Sequence, residues 1–190
     1  MGKTITVPHH EAEDAVRKLL VHIGENPTRE GLKETPFRMV KSWYEDLFSG
    51  YREDPASVFK MFEDGACNQM VILKGIEFWS TCEHHVLPFW GRASLAYLPN
   101  GKVVGISKLA RLLEIYARRL QIQERIGQQI TNAMDEHLNP LGSACVLEAQ
   151  HLCMICRGVQ KQQSVMITSS LSGEFLKPEV RAEFFSLIKG

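Results

Sequence analysis

The chain has 190 residues, 44% of them hydrophobic and 23% charged, with 22 Lys plus Arg set against 22 Asp plus Glu. Those proportions belong to a folded globular chain long enough for a real core, and they exclude a disordered tail, a collagen-like or low-complexity chain and a coiled coil. Zero net charge provides no general positive field for a polyanion, so nucleic acid is not an expected partner and any anionic ligand must meet a local cluster of cations.

The first ten residues, MGKTITVPHH, carry no secretory h-region, and no apolar run approaches the ~20 residues that a bilayer crossing needs. A cytoplasmic protein with no membrane partner is expected. Ala12, Ala15, Val16, Leu19, Leu20 and Ile23 recur at helical spacing and Gly24 closes the pattern, which predicts a first amphipathic helix. After a polar turn over 25–34, Thr35 as N-cap and Pro36 at the first helical position open a second helix. It carries Phe37, Val40, Trp43, Tyr44, Leu47 and Phe48 on one face and ends at Gly50.

From about 70 to 106 the texture becomes strand-like, through Val71, Leu73 and Ile76, then Ala93, Leu95 and Tyr97, then Val103 and Val104, with Asn100-Gly101 marking a hairpin turn. Ser107 then caps a helical stretch running to Leu120 and resuming from Ile122 to Leu138, where Asn139-Pro140 breaks it. Strands are expected over 144–154 and 160–169, followed by a short helix opened by Pro178. Helices, strands, helices and strands in this order, without regular alternation, argue for α+β with an antiparallel sheet. A helical N-terminal lobe over 1–60 would precede a second domain over 61–190.

Five cysteines are an odd number for a disulfide framework in a reducing compartment, so metal binding or catalysis is their default use. Cys82-Glu83-His84-His85 sets a thiolate and an imidazole three residues apart, and His151-Leu152-Cys153-Met154-Ile155-Cys156 offers further soft ligands. Counted alone, Cys82, His85, Cys153 and Cys156 make a closed structural zinc site. On a strand, however, His151 and Cys153 share a face while Cys156 points away, unless a turn begins right after Cys153. Cys82, His85 and Cys153 alone would leave the fourth position to water, as in catalytic sites. His84 and His151 would then stand beside the metal as proton-transfer groups. Cys67 and Cys145 belong to no pattern.

Several motifs in order carry a resemblance to GTP cyclohydrolase I of the zinc-dependent, toroidal type. They are Gly24-Glu25-Asn26-Pro27-Thr28-Arg29-Glu30-Gly31-Leu32, Glu34-Thr35-Pro36-Phe37-Arg38-Met39-Val40-Lys41, Cys82-Glu83-His84-His85, Gly105-Ile106-Ser107-Lys108-Leu109-Ala110-Arg111, Gln121-Ile122-Gln123-Glu124-Arg125, and His151-Leu152-Cys153 with Arg157-Gly158. The likeness runs from about 11 to 188. It implies a T-fold, an antiparallel four-stranded sheet backed by two consecutive helices, assembled as a homodecamer of two pentameric rings with active sites at subunit interfaces.

The resemblance further implies zinc held by Cys82, His85 and Cys153, and water activated to attack C8 of GTP. Formate would leave, and the ribose would rearrange to give 7,8-dihydroneopterin triphosphate. His84 and His151 match the family's acid/base pair, and Glu124 with Gln123 matches its guanine-reading position. Ser107, Lys108, Arg111 and Arg157 match ribose and phosphate contacts, while Arg38 and Lys41, three apart on one helix face, match contacts from a neighbouring subunit. Arg118, Arg119 and Arg125 are expected to be structural or solvated. Cys156 departs from the family's ligand set and is expected to be a bystander. The competing readings are a non-catalytic zinc module with complete ligation, and another T-fold enzyme of purine or pterin chemistry, such as a nitrile reductase or pterin synthase.

Overall fold

The alternation that begins near residue 70 becomes two long paired strands in the computed structural model, which describes residues 8–64 and 67–189. Residues 1–7, read above as lacking a secretory signal, lie outside the described residues. The chain divides into two compact units, the first ending at Ser49 and the second beginning at Gly50. Among the described residues no helix is long and apolar enough to cross a membrane.

In the first unit, α1 (His9–His22) packs against α2 (Thr35–Ser42). Gly24 follows α1 at φ +90°, a left-handed conformation that glycine adopts without a Cβ penalty. Glu34, not Thr35, occupies the N-cap position of α2, and Pro36 lies buried in its first turn. The expected run to Gly50 is not continuous. The helix widens into a π turn at Trp43–Leu47, where the Phe48 amide donates to the Trp43 carbonyl at 3.0 Å while the Trp43 and Phe48 rings meet edge-on at 5.4 Å.

The second unit is built on β2 (Val71–Cys82), β3 (Pro88–Leu98), β6 (Gly142–His151) and β7 (Met166–Leu171), each antiparallel to the next. The two-residue β5 (Leu120–Gln121) joins the outer edge of β2 in parallel, giving the order β5-β2-β3-β6-β7. A separate antiparallel ribbon pairs β1 (Met61–Phe62) with β4 (Val103–Val104). The helices of this unit are α3 (Ile106–Ala117), α4 (Gln123–Leu138), the single turn α5 (Leu152–Ile155) and α6 (Pro178–Ile188).

Strand parity sorts the core into two layers. Phe78, Phe89, Leu95, Cys145 and Leu147 face α3 and α4, where they pack with Leu109, Leu112, Leu113, Ile126 and Ile130. Ala96, Ala144 and Val146 point to the opposite face and meet Phe175 and Phe184, with Val180, Phe185 and Ile188 of α6 alongside. Each large side chain fully removed from water contributes about 1.5–3 kcal/mol, so the sheet sandwiched in this way supplies most of the burial that stabilises this unit. The mixed α+β composition agrees with the order of elements read from the sequence.

Four further local expectations differ from the structure. Asn100-Gly101 makes a bend with Gly101 at φ +74°, but β4 does not fold back on β3. Tyr97 of β3 already pairs with Val71 of β2 on one side and Ser143 of β6 on the other, so no edge is free. Gly105 rather than Ser107 stands at the N-cap of α3. The strand expected to continue to 154 stops at His151, where α5 begins, and β7 starts at Met166 rather than near 160 because Gly158 (φ +61°) and Gln160 (φ +51°) turn the chain first.

Candidate active site

The hairpin between β2 and β3 closes tightly because the Cys82 amide donates to the Leu87 carbonyl (2.9 Å) and the Val86 amide to the Cys82 carbonyl (2.8 Å). Val86 pays for this turn with φ +53°, a left-handed conformation that costs a β-branched residue on the order of 1–3 kcal/mol. The Glu83 amide donates to the Gln121 carbonyl of β5 at 3.0 Å. Arg125 of α4 grips the Glu83 carboxylate with both terminal nitrogens, at 2.5 and 3.1 Å, and holds it below the usual carboxylate range. The loop is thus pinned at its backbone and at its side chain.

Cys82, buried at the end of β2, and His85, exposed on the loop, bring Sγ and Nδ1 to 3.6 Å. Cys153 enters from α5, immediately after β6, and its sulfur joins them so that all three donor atoms lie within 4.8 Å of one another. Bonds of about 2.0–2.3 Å to a tetrahedral ion give ligand-to-ligand edges of roughly 3.6–3.8 Å. The observed Cys82–His85 separation is such an edge. Burial first, and the adjacent Cys82 second, push the Cys153 thiol above its ordinary range, so bringing both sulfurs to the thiolate form calls for a cation between them. Two thiols and an imidazole therefore fit a borderline-soft divalent metal.

The strand whose parity would turn Cys156 away ends at His151. Cys153 sits in a helical turn that starts at Leu152, and Cys156 lies one turn on, with its amide donating to the Leu152 carbonyl at 3.0 Å. Its side chain is exposed and lies outside the three-residue group.

His151 ends β6 opposite Phe89 of β3. Its ring lies flat on the Phe89 ring, with centroids 4.5 Å apart and planes 4° from parallel, and its Nε2 is 2.8 Å from Gln123 Oε1. Burial lowers the His151 pKa and the nearby Glu124 carboxylate partly offsets that. His84 is exposed on the hairpin loop beside the exposed His85, their ring centroids 6.2 Å apart.

Glu124 is exposed in the first turn of α4, whereas its neighbour Gln123 is buried with its amide committed inside the protein. Arg157 follows α5, close enough for its charge to act on Cys153. Ser107 and Arg111 are exposed and Lys108 half-buried on the first turns of α3. Arg38 and Lys41 are exposed on α2 in the other unit, where Lys41 lies 3.8 Å from Glu45. Sequence reasoning missed Phe89, which has no polar signature, while Arg125, expected to be structural or solvated, pairs with Glu83, 42 residues away.

The family description for GTP cyclohydrolase I matches residues 12–189. The GTP cyclohydrolase 1 of Wolinella succinogenes is 53% identical over 179 residues, covering 93% of this chain and 95% of that protein. The enzyme of the same name from Dehalococcoides mccartyi is 53% identical over 180 residues, with the same coverage of 93% and 95%, and that of Helicobacter pylori is 50% identical over 179 residues, covering 93% and 99%. With a match running almost end to end, and the thiol–imidazole–thiol group at its centre, the chain belongs to the GTP cyclohydrolase I family.

Proposed function

We infer that this chain hydrolyses GTP, opening the guanine imidazole ring at C8, releasing that carbon as formate and forming 7,8-dihydroneopterin triphosphate. One water is consumed for each formate released. The convergence of Cys82, His85 and Cys153 within 4.8 Å, on a chain of this family, carries the conclusion. Zinc suits this donor set, and when bound it supplies a Lewis acid that makes water nucleophilic near neutral pH.

The protein's own groups do the rest. Attack at C8 leaves N7 in need of a proton, and opening the ribose needs a second transfer, the tasks assigned to His84 and His151. The Glu124 carboxylate accepts from N1–H and the 2-amino group of guanine, which selects this base over adenine. Ser107 binds at the ribose or phosphate end, and Lys108, Arg111 and Arg157 gather the triphosphate's charge on a protein whose net charge is zero. Arg38 and Lys41 act from a neighbouring subunit in a decamer of two pentamers, each subunit a T-fold over 61–190 with its helical lobe over 1–60. Gln123 was expected at the guanine site, but its burial supports a different task, taken up below.

The test follows the departing carbon. Zinc-loaded protein given GTP labelled with carbon-13 at C8 is expected to release labelled formate, read by NMR. Label that stays in the purine would contradict the proposal.

A further inference from the structure

Gln123 opens α4 with 1% of its surface exposed. Its amide nitrogen lies 2.9 Å from the Leu147 carbonyl oxygen, 3.0 Å from the Met166 carbonyl oxygen and 3.2 Å from Thr168 Oγ1. The first two partners can only accept, so the NH₂ end of the amide must face β6 and β7. The amide oxygen is thereby left facing His151 Nε2 at 2.8 Å. That oxygen can only accept as well, so Nε2 must be the nitrogen that carries hydrogen. A neutral imidazole has one N–H, and its lone pair then resides on Nδ1. The stacked Phe89 ring fixes the plane in which this choice is made.

We infer that Gln123 is a positioning residue that sets the tautomer of His151, leaving Nδ1 as the ring's hydrogen-bond acceptor during GTP ring opening. The assignment rests on the cyclohydrolase reading and gives Gln123 no contact with the base. A backbone-anchored amide is well suited to the task. Because its nitrogen is tied to two strands, it cannot rotate to offer His151 a donor, so the wrong tautomer would face a loss of its hydrogen bond.

Neutron diffraction from zinc-loaded wild-type crystals in deuterated buffer at pH 8.5 tests this directly. Deuterium on His151 Nε2, directed at Gln123, is expected; a bare Nε2 overturns the inference. In solution, zinc-loaded Gln123→Met is expected to lose roughly 10–100-fold in kcat, the range typical when an orienting partner is removed, while KM for GTP stays within about threefold and zinc content is unchanged. A raised KM with unchanged kcat would instead make Gln123 a binding residue and overturn the assignment. Wild-type protein that does not turn over GTP counts against the cyclohydrolase reading, whereas a bare Nε2 in active protein counts against the role of Gln123 alone.

Discussion

Gly91 lies in the middle of β3 opposite Ala149 of β6, and a Cβ there would sit 1.8 Å from the Glu148 carbonyl oxygen and 2.7 Å from Ala149 Cα. Both obstacles are backbone, so no rotamer change relieves them. For Gly91→Ala, β6 would have to retreat by about 1.6 Å, the difference between 1.8 Å and the 3.4 Å at which ordinary contact begins. A displacement of that size takes flanking ladder hydrogen bonds beyond bonding distance, at about 0.5–1.5 kcal/mol each, on top of about 1–3 kcal/mol for overpacking. The expected destabilisation is roughly 2–5 kcal/mol, or about 5–15 °C in Tm for a chain of this length. Function should suffer too, because Ala149 is followed two residues later by His151 and four residues later by Cys153. Thermal unfolding of the zinc-loaded protein, followed by circular dichroism, reads the effect, with Gly101→Ala as the comparison. Gly101 has φ +74° and nothing within 4 Å of the added Cβ, so only the left-handed backbone penalty of about 1–2 kcal/mol applies there. Gly91→Ala melting within about 2 °C of wild type would refute the reasoning.

His84→Ala and His151→Ala are expected to retain zinc, measured by elemental analysis, while losing at least about 100-fold in turnover; Cys82→Ser and Cys153→Ser should lose both metal and activity. Equal metal loss in all four would erase the division between ligands and proton-transfer groups. Arg125→Ala releases Glu83 from a partly exposed pair, so stability by thermal melting should change by less than about 1 kcal/mol, whereas zinc affinity, measured by competition with a chromogenic chelator, should weaken as the loop loosens. Burial pushes the Cys145 thiol up to about 12, so in native protein at pH 8 iodoacetamide should spare Cys145 and label the exposed Cys156 without releasing zinc; mass spectrometry of the digested protein gives the pattern.

What the sequence revealed and what it concealed follow from the range of the interactions involved. The CxxH spacing of Cys82 and His85 is local, and a five-residue hairpin loop delivers both to one point, so this half of the metal group could be read directly. The spacing of His151, Cys153 and Cys156 also offers Cys153 as a third ligand, although the strand whose parity sets Cys156 aside gives way to α5 at Leu152. Two consecutive helices are legible on either side of Leu120–Gln121, but the extension of those two residues to pair with Thr81 and Cys82 is a long-range contact that no local pattern announces. Gln123 shows the same limit from the other side. The resemblance sets it beside Glu124 at the guanine-reading position, and only the long-range approach of Leu147, Met166 and His151 makes it a buried hub.

We propose that a metal held by Cys82, His85 and Cys153 works beside His84 and His151 to turn GTP into a pterin triphosphate. Purified, zinc-loaded protein incubated with GTP, beside a chelator-treated sample, tests it most directly when formate and dihydroneopterin triphosphate are quantified together. The two products are expected in equal amounts, abolished by chelation and restored by added zinc. Undiminished formation of both products after the metal has been stripped, or no turnover by the fully loaded protein, would contradict it.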